Sequence, residues 1–341
     1  MIRKKQLDGL EILRVVFSVA VVVWHLKTIP KSPYLLFGGN HGVGAGVLDV
    51  VNIGVLLLAV PVFIFISCFI FVLNGAGRES LKRRVKRLTV LAIFWSVAYI
   101  LFMEGRAGLV RIAAEFIDRP LYVIFRSGGT VYYFFISLAA CLVLCQIYFQ
   151  VSSRLRCALI GGAYLLCVLG SLGPSFLGYS AMSVYWAPTG FFAIALTAAW
   201  AGLNYSKIQA ALGRYVLLSM CLGLVALLLE YCYLPFSGSI PGQNFSIPSY
   251  SRLSLPLLAF SAVVASTRYR GELNAALRFG ANNSLALYCL HPFALGVGHK
   301  LVAYVQMDDA AKAVVAVLLV VFLSYAVALV LRGRILNPRL L

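Results

Sequence analysis

Apolar runs long enough to cross a lipid bilayer recur from one end of this chain to the other, and no other feature constrains its fold as strongly. A helix needs ~20 apolar residues to span a ~30 Å hydrocarbon core. Such runs fall at about 10–26, 50–74, 88–104, 131–151, 157–172, 184–203, 215–234, 251–267, 284–304 and 311–331. They predict an all-α, polytopic integral membrane protein with about ten transmembrane helices. With 62% hydrophobic and 12% charged residues over 341 positions, a water-soluble domain is excluded. No soluble appendage, internal repeat or linker stands out, so residues 1–341 read as a single membrane domain. The first run lacks a small-residue cleavage site and is expected to be retained.

The net charge of +18 would suggest nucleic acid in a soluble chain. Here the cations sit in short loops between spans and no aromatic stacking platform accompanies them, which argues against nucleic acid. Placing the N-terminus in the cytoplasm puts 19 of the 29 Lys and Arg on that side. Short loops with excess positive charge face the cytoplasm, so both termini are expected inside a plasma (inner) membrane. A longer amphipathic loop at about 105–128 is expected to lie along the interface. The eight cysteines fall in or beside apolar runs without a Cys-x-x-Cys pair, and read as packing residues with no metal site.

The first run, LEILRVVFSVAVVVWHL, carries Glu11, Arg14 and His25. Eleven residues are about three helical turns, so Arg14 and His25 share one face, ~16 Å apart along the axis. Glu11 and Ser18 fall near the same line. Ionisable groups at membrane depth mark functional sites by default. The alternative is that Arg14 snorkels to the headgroups while His25 sits at the other interface. A second feature is the run GAGRESLKRRVKRL, the densest basic cluster of the chain. Arg84 and Arg87 project from one face at the start of the third span. Guanidinium groups beside a helix N-terminus suit phosphate, while a topogenic signal or an anionic-lipid contact would use the same residues.

Taken together these motifs resemble the acyltransferase-3 family of membrane-bound O-acyltransferases. The resemblance is carried by Arg14-x10-His25, by Arg84-Val85-Lys86-Arg87, by PVFIFISCFIF through Pro61, Phe63, Phe65 and Ser67, and by GANNSLALYCLHPF through Gly280, Ser284, Tyr288, His291 and Pro292. It runs from residue 7 to about 331. Cys68 stands where Gly is usual, Leu88-Thr89 where Pro often follows the arginine pair, and Tyr133 where Trp is common. The resemblance implies transfer of an acyl group, usually acetyl, from cytoplasmic acyl-CoA to a hydroxyl of an extracytoplasmic polysaccharide, lipid-linked sugar or glycolipid. Acyl-CoA is then a donor substrate, and no cofactor is held permanently.

In that reading His25 is the general base, because an imidazole titrates near neutral pH and can take the acceptor proton. Arg14 orients the donor or compensates charge, Glu11 pairs with Arg14, and Arg84 with Arg87 holds the CoA phosphates. His291, followed by Pro292, is either a second active-site group or a structural hydrogen-bonder at a kink. Glu230 either binds acceptor hydroxyls or is an interfacial carboxylate beside Tyr231 and Tyr233. Tyr288 belongs to the same second tier. His41 and His299 read as solvated or packing residues. The rival from another class is a transporter or flippase for a lipid-linked sugar or acyl group. The sequence does not specify the acceptor or the oligomeric state.

Overall fold

The computed structural model describes residues 8–26, 51–177, 185–233, 250–269, 271–303 and 308–334. His41 and the segments around it lie outside these residues. All regular secondary structure among the described residues is helical. The helices are α1 (Asp8–Leu26), α2 (Ala59–Leu73), α3 (Arg78–Asp118), α4 (Pro120–Arg126), α5 (Tyr133–Gln150), α6 (Ser153–Leu177) and α7 (Phe192–Leu203). They continue with α8 (Tyr205–Ala210), α9 (Leu212–Tyr233), α10 (Ser254–Ser266), α11 (Ala275–Asn282), α12 (Ser284–Ala303) and α13 (Asp309–Arg334).

Six of these helices are long and apolar enough to cross a membrane: Asp8–Leu26, Gly54–Leu73, Arg78–Asp118, Tyr133–Gln150, Leu212–Glu230 and Ala310–Arg332. The protein is therefore a multi-pass membrane protein. The ten crossings expected from the sequence each overlap a helix, but among the described residues six are full-length spans, so the count of ten is not confirmed. Pro188–Leu203, Ser254–Ser266 and Ser284–Gly298 are apolar but shorter. An apolar run counts residues whether or not they are helical. The run at 251–267, for example, begins in the non-helical stretch that holds Arg252, and its helix starts only at Ser254.

Burial explains the layout. The best-buried span is Gly54–Leu73, at 78% of its window, against 22% for both Leu212–Glu230 and Ala310–Arg332. A helix that is apolar all round is at home either in a core or against lipid. α2 takes the first role, surrounded by α1, α5, α7 and α10. α9 and α13 take the second, with Leu217, Leu218, Leu318 and Phe322 pointing outward. α9 pairs with α10 and α13 with α12, each as a flanking hairpin. Pro61 lies in the first turn of α2, where a missing N–H has no intrahelical partner to lose.

The segment at 105–128 is helical, which corrects the expectation of a loop. α3 runs on to Asp118, but Gly105 interrupts it with φ 64° and ψ −151°, a backbone state open only to glycine at low cost. The break separates the apolar span from an exposed continuation, where Arg111 pairs with Glu104 at 2.8 Å and with Glu115 at 3.8 Å. Arg156, counted by sequence among the orienting charges, caps α5: its Nε and Nη2 donate to the carbonyls of Tyr148 and Phe149 at 3.0 and 2.8 Å. Those carbonyls end a helix and lack intrahelical donors.

Candidate active site

Two cavities meet inside the bundle. The larger, about 460 Å³, is lined by Arg14 from α1, Ser67 from α2, Arg84 and Arg87 from α3, Ser284 and Tyr288 from α12 and Arg332 from α13. One residue from the first span, Arg14, and two from the start of the third, Arg84 and Arg87, thus converge, about 70 positions apart in sequence. Among the described residues neither aspartate nor glutamate lines this cavity. No ion pair between Glu11 and Arg14 occurs among the described residues. Arg84 donates from Nε to Ser80 Oγ at 3.3 Å and lies over the Phe71 ring, 5.7 Å from its centroid. Four guanidinium groups around one space repel one another, and an anion of high charge relieves that repulsion.

Arg332 is the member that sequence reasoning missed. It was counted only among the charges that orient the last span. Its Nη2 donates to the Asn282 carbonyl at 3.4 Å, while its Nε is buried without a partner among the described residues. Since Arg14 and Arg332 share the cavity, the first turns of α1 and the last turns of α13 lie at the same end of the bundle.

The smaller cavity, about 80 Å³, is lined by Trp24 and His25 from α1, Thr130, and four tyrosines, Tyr133, Tyr185, Tyr250 and Tyr288. Among the described residues no Asp, Glu, Lys or Arg lines it. It is a cage of aromatic faces and hydroxyls around one imidazole. Thr130 is held in place by Ser96 on α3 (3.0 Å between the hydroxyls) and by donating to the Ser127 carbonyl at 2.8 Å. The tyrosine cage was also missed, because Tyr185 and Tyr250 stand outside the helices and share no periodicity with His25.

Tyr288 lines both cavities. Its hydroxyl donates to the Val131 carbonyl at 2.6 Å, and the Tyr132 hydroxyl donates back to the Cys289 carbonyl at 2.7 Å. This reciprocal tie fixes the start of α5 against α12, and makes Tyr288 the wall between the arginine cavity and the histidine cavity. His291, one turn further along α12, is fully buried, with its ring centroid 5.1 Å from that of His25 and 5.8 Å from that of Tyr288. Ser18, on the line between Arg14 and His25, donates to the Arg14 carbonyl at 2.6 Å.

Glu230 lies elsewhere. It is buried and accepts from Arg252 Nε at 3.0 Å, from the Ser254 backbone N–H at 2.9 Å and from Ser254 Oγ at 2.5 Å. Arg252 was not singled out by sequence. Its signal was faint, a second ionisable group at the neighbouring end of the next apolar run. His299 falls in α12, but its side chain is not among those described.

Comparison with known families decides the class: residues 7–333 match the acyltransferase-3 family, characterised by an acyltransferase domain. The chain belongs to the acyltransferase-3 family. No curated protein and no solved structure matches it. As an acyltransferase-3 protein, it is a membrane acyltransferase. Of the positions at which it departs from the family pattern, Cys68 is fully buried beside Cys141 and Cys145, where a small side chain fits against α5. Tyr133 lines the histidine cavity, at the position where an indole is common in the acyltransferase-3 family.

Proposed function

We propose that this acyltransferase takes its acyl group, usually acetyl, from acyl-CoA on the cytoplasmic side and passes it to a hydroxyl of a cell-envelope polysaccharide, lipid-linked sugar or glycolipid. The observation that carries this reading is the pair of neighbouring cavities that share Tyr288 as a wall. One gathers Arg14, Arg84, Arg87 and Arg332, and the other holds His25. Phosphates of the nucleotide end suit the four guanidinium groups, and the pantetheine arm would extend from them toward Tyr288. Three of those arginines belong to the basic set that favours the cytoplasm, the compartment where acyl-CoA is made. Both termini then face the cytoplasm of a plasma (inner) membrane.

His25 acts as general base. As the acceptor oxygen attacks the thioester carbon, the imidazole takes the hydroxyl proton. The tetrahedral intermediate collapses with cleavage of the C–S bond, and the imidazolium returns its proton to the departing thiolate. Atoms and charge balance, with no redox partner needed. The tyrosine cage offers flat faces and hydroxyls but no charge, which suits a hydroxylated ring.

The test is His25→Gln, assayed in detergent by acyl-CoA-dependent release of free CoA and by acylation of glycan acceptors. General-base assistance is worth ~10²–10⁴ in rate, so transfer should fall by that factor while CoA affinity stays unchanged. Full activity in His25→Gln would refute the mechanism. Counterflow of an intact sugar lipid without CoA release would favour a transporter.

A further inference from the structure

We infer that His291 is a positioning residue whose unused ring nitrogen receives an N–H from His25 and so turns the other His25 nitrogen into the base. The inference rests on the transfer reading above, in which His25 takes the acceptor proton.

The argument starts from the dipeptide His291-Pro292 inside α12. Proline has no N–H, so the carbonyl four residues earlier, on Tyr288, loses its helical donor. His291 supplies the replacement: its Nδ1 lies 2.8 Å from the Tyr288 carbonyl and 3.3 Å from that of Leu287. Carbonyl oxygens only accept, so Nδ1 carries the hydrogen. In a neutral imidazole with Nδ1 protonated, Nε2 is an acceptor and nothing else.

That Nε2 is buried and has no hydrogen-bond partner among the described residues. Buried polar atoms left without a partner are few in native proteins and call for a reason. The neighbouring ring supplies one. His25 and His291 have centroids 5.1 Å apart with planes tilted by 42°, a separation at which facing ring edges come to about hydrogen-bonding distance, ~3 Å. The bond is open as the rings stand. A turn of the His25 imidazole about its second side-chain torsion, which has a broad well, closes it, and catalytic hydrogen bonds often tighten only with substrate bound.

The consequence is chemical. An N–H of His25 donated to His291 fixes which His25 nitrogen keeps its lone pair, and directs that nitrogen to the cavity with Tyr133 and Tyr250. When His25 takes the acceptor proton, the imidazolium retains its hydrogen bond to a neutral acceptor. A carboxylate in the same place would form a buried ion pair, whose desolvation is costly. His291 thus has two separable jobs, repair of the helix through Nδ1 and orientation of His25 through Nε2.

Two substitutions separate them. In His291→Asn the amide reaches the Nδ1 position, so the Tyr288 carbonyl keeps a donor while the acceptor toward His25 is lost. In His291→Gln the amide oxygen reaches the Nε2 position. With the full chain in detergent, acetyl-CoA as donor and CoA release as readout, His291→Gln should keep kcat within about tenfold of wild type. His291→Asn should lose ~10²-fold in kcat, the scale of a mispositioned catalytic group, with unchanged acetyl-CoA affinity and thermal stability. Wild-type kcat in the Asn variant, or loss in both variants when both melt and bind acetyl-CoA as wild type does, overturns the inference. The chain has four histidines, so ¹⁵N spectra of the unsubstituted protein give a readout that needs no variant. His291 protonated on Nε2 overturns the inference, and protonation on Nδ1 supports it. The transfer reading fails separately, if His25→Gln remains active.

Discussion

The buried pair Glu230–Arg252 invites a stability experiment whose size follows from its surroundings. Side-chain exposures of 3% for Arg252 and 7% for Glu230 leave little water to screen either charge. Replacing Arg252 with Met removes the cation but leaves the carboxylate in place, with Ser254 its remaining donor among the described residues. Breaking a buried pair from one side costs about 3–5 kcal/mol, about a fifth or more of the ~5–15 kcal/mol that holds a typical domain together. Ser254→Ala removes one hydrogen bond to a charged acceptor and should cost about 1.5–3 kcal/mol. Replacing both partners, Glu230→Leu with Arg252→Met, removes the stranded charge and should recover most of the loss, since apolar replacements of buried pairs are often neutral or stabilising. Denaturation in a mild detergent, followed by tryptophan fluorescence and by size-exclusion profile, reads all three. The reasoning is wrong if Arg252→Met is as stable as wild type, or if the double variant is no better than the single. It is also wrong if Glu230→Gln leaves stability alone and instead raises the KM for the acceptor, which would make Glu230 a substrate ligand.

In the arginine cavity, Arg84→Ala, Arg87→Ala and Arg332→Ala should each weaken CoA binding by about 1.5–3 kcal/mol, measured by calorimetry. Lys should restore only part, because it lacks the planar fork, and wild-type affinity in all three alanine variants would make the cluster topogenic. A Cβ on Gly9 would lie 1.9 Å from the Ser266 carbonyl oxygen, whereas one on Gly77 meets nothing within 4 Å. Gly9→Ala should therefore destabilise by about 1–3 kcal/mol, as overpacking does, and Gly77→Ala should be neutral in the same melt. For topology, cysteines introduced one at a time into a Cys-free background should escape an impermeant outside reagent at position 80 and react at position 240. The reverse pattern would invert the orientation and move the donor side with it.

The membrane class was legible in the chain because lipid imposes a length and an apolarity that composition records directly. The helix carrying Arg14 and His25 was equally legible, since a period of 3.6 residues places positions eleven apart on one face without tertiary help. The pairing of Arg84 with Arg87 followed for the same reason. What the one-dimensional pattern lacked was any rule for which faces meet. Arg332 reads as a topogenic charge until α13 returns its end to the start of α1. Tyr185 and Tyr250 carry no signal in the sequence until non-helical segments bring them to His25. Arg252 is a stray cation until the α9–α10 hairpin sets it on Glu230, and the short interior helices look like full spans until packing shows where they begin. His291 depends on both levels: its bond to the Tyr288 carbonyl follows from the proline beside it, but only the packing of α12 against α1 brings its other nitrogen to His25.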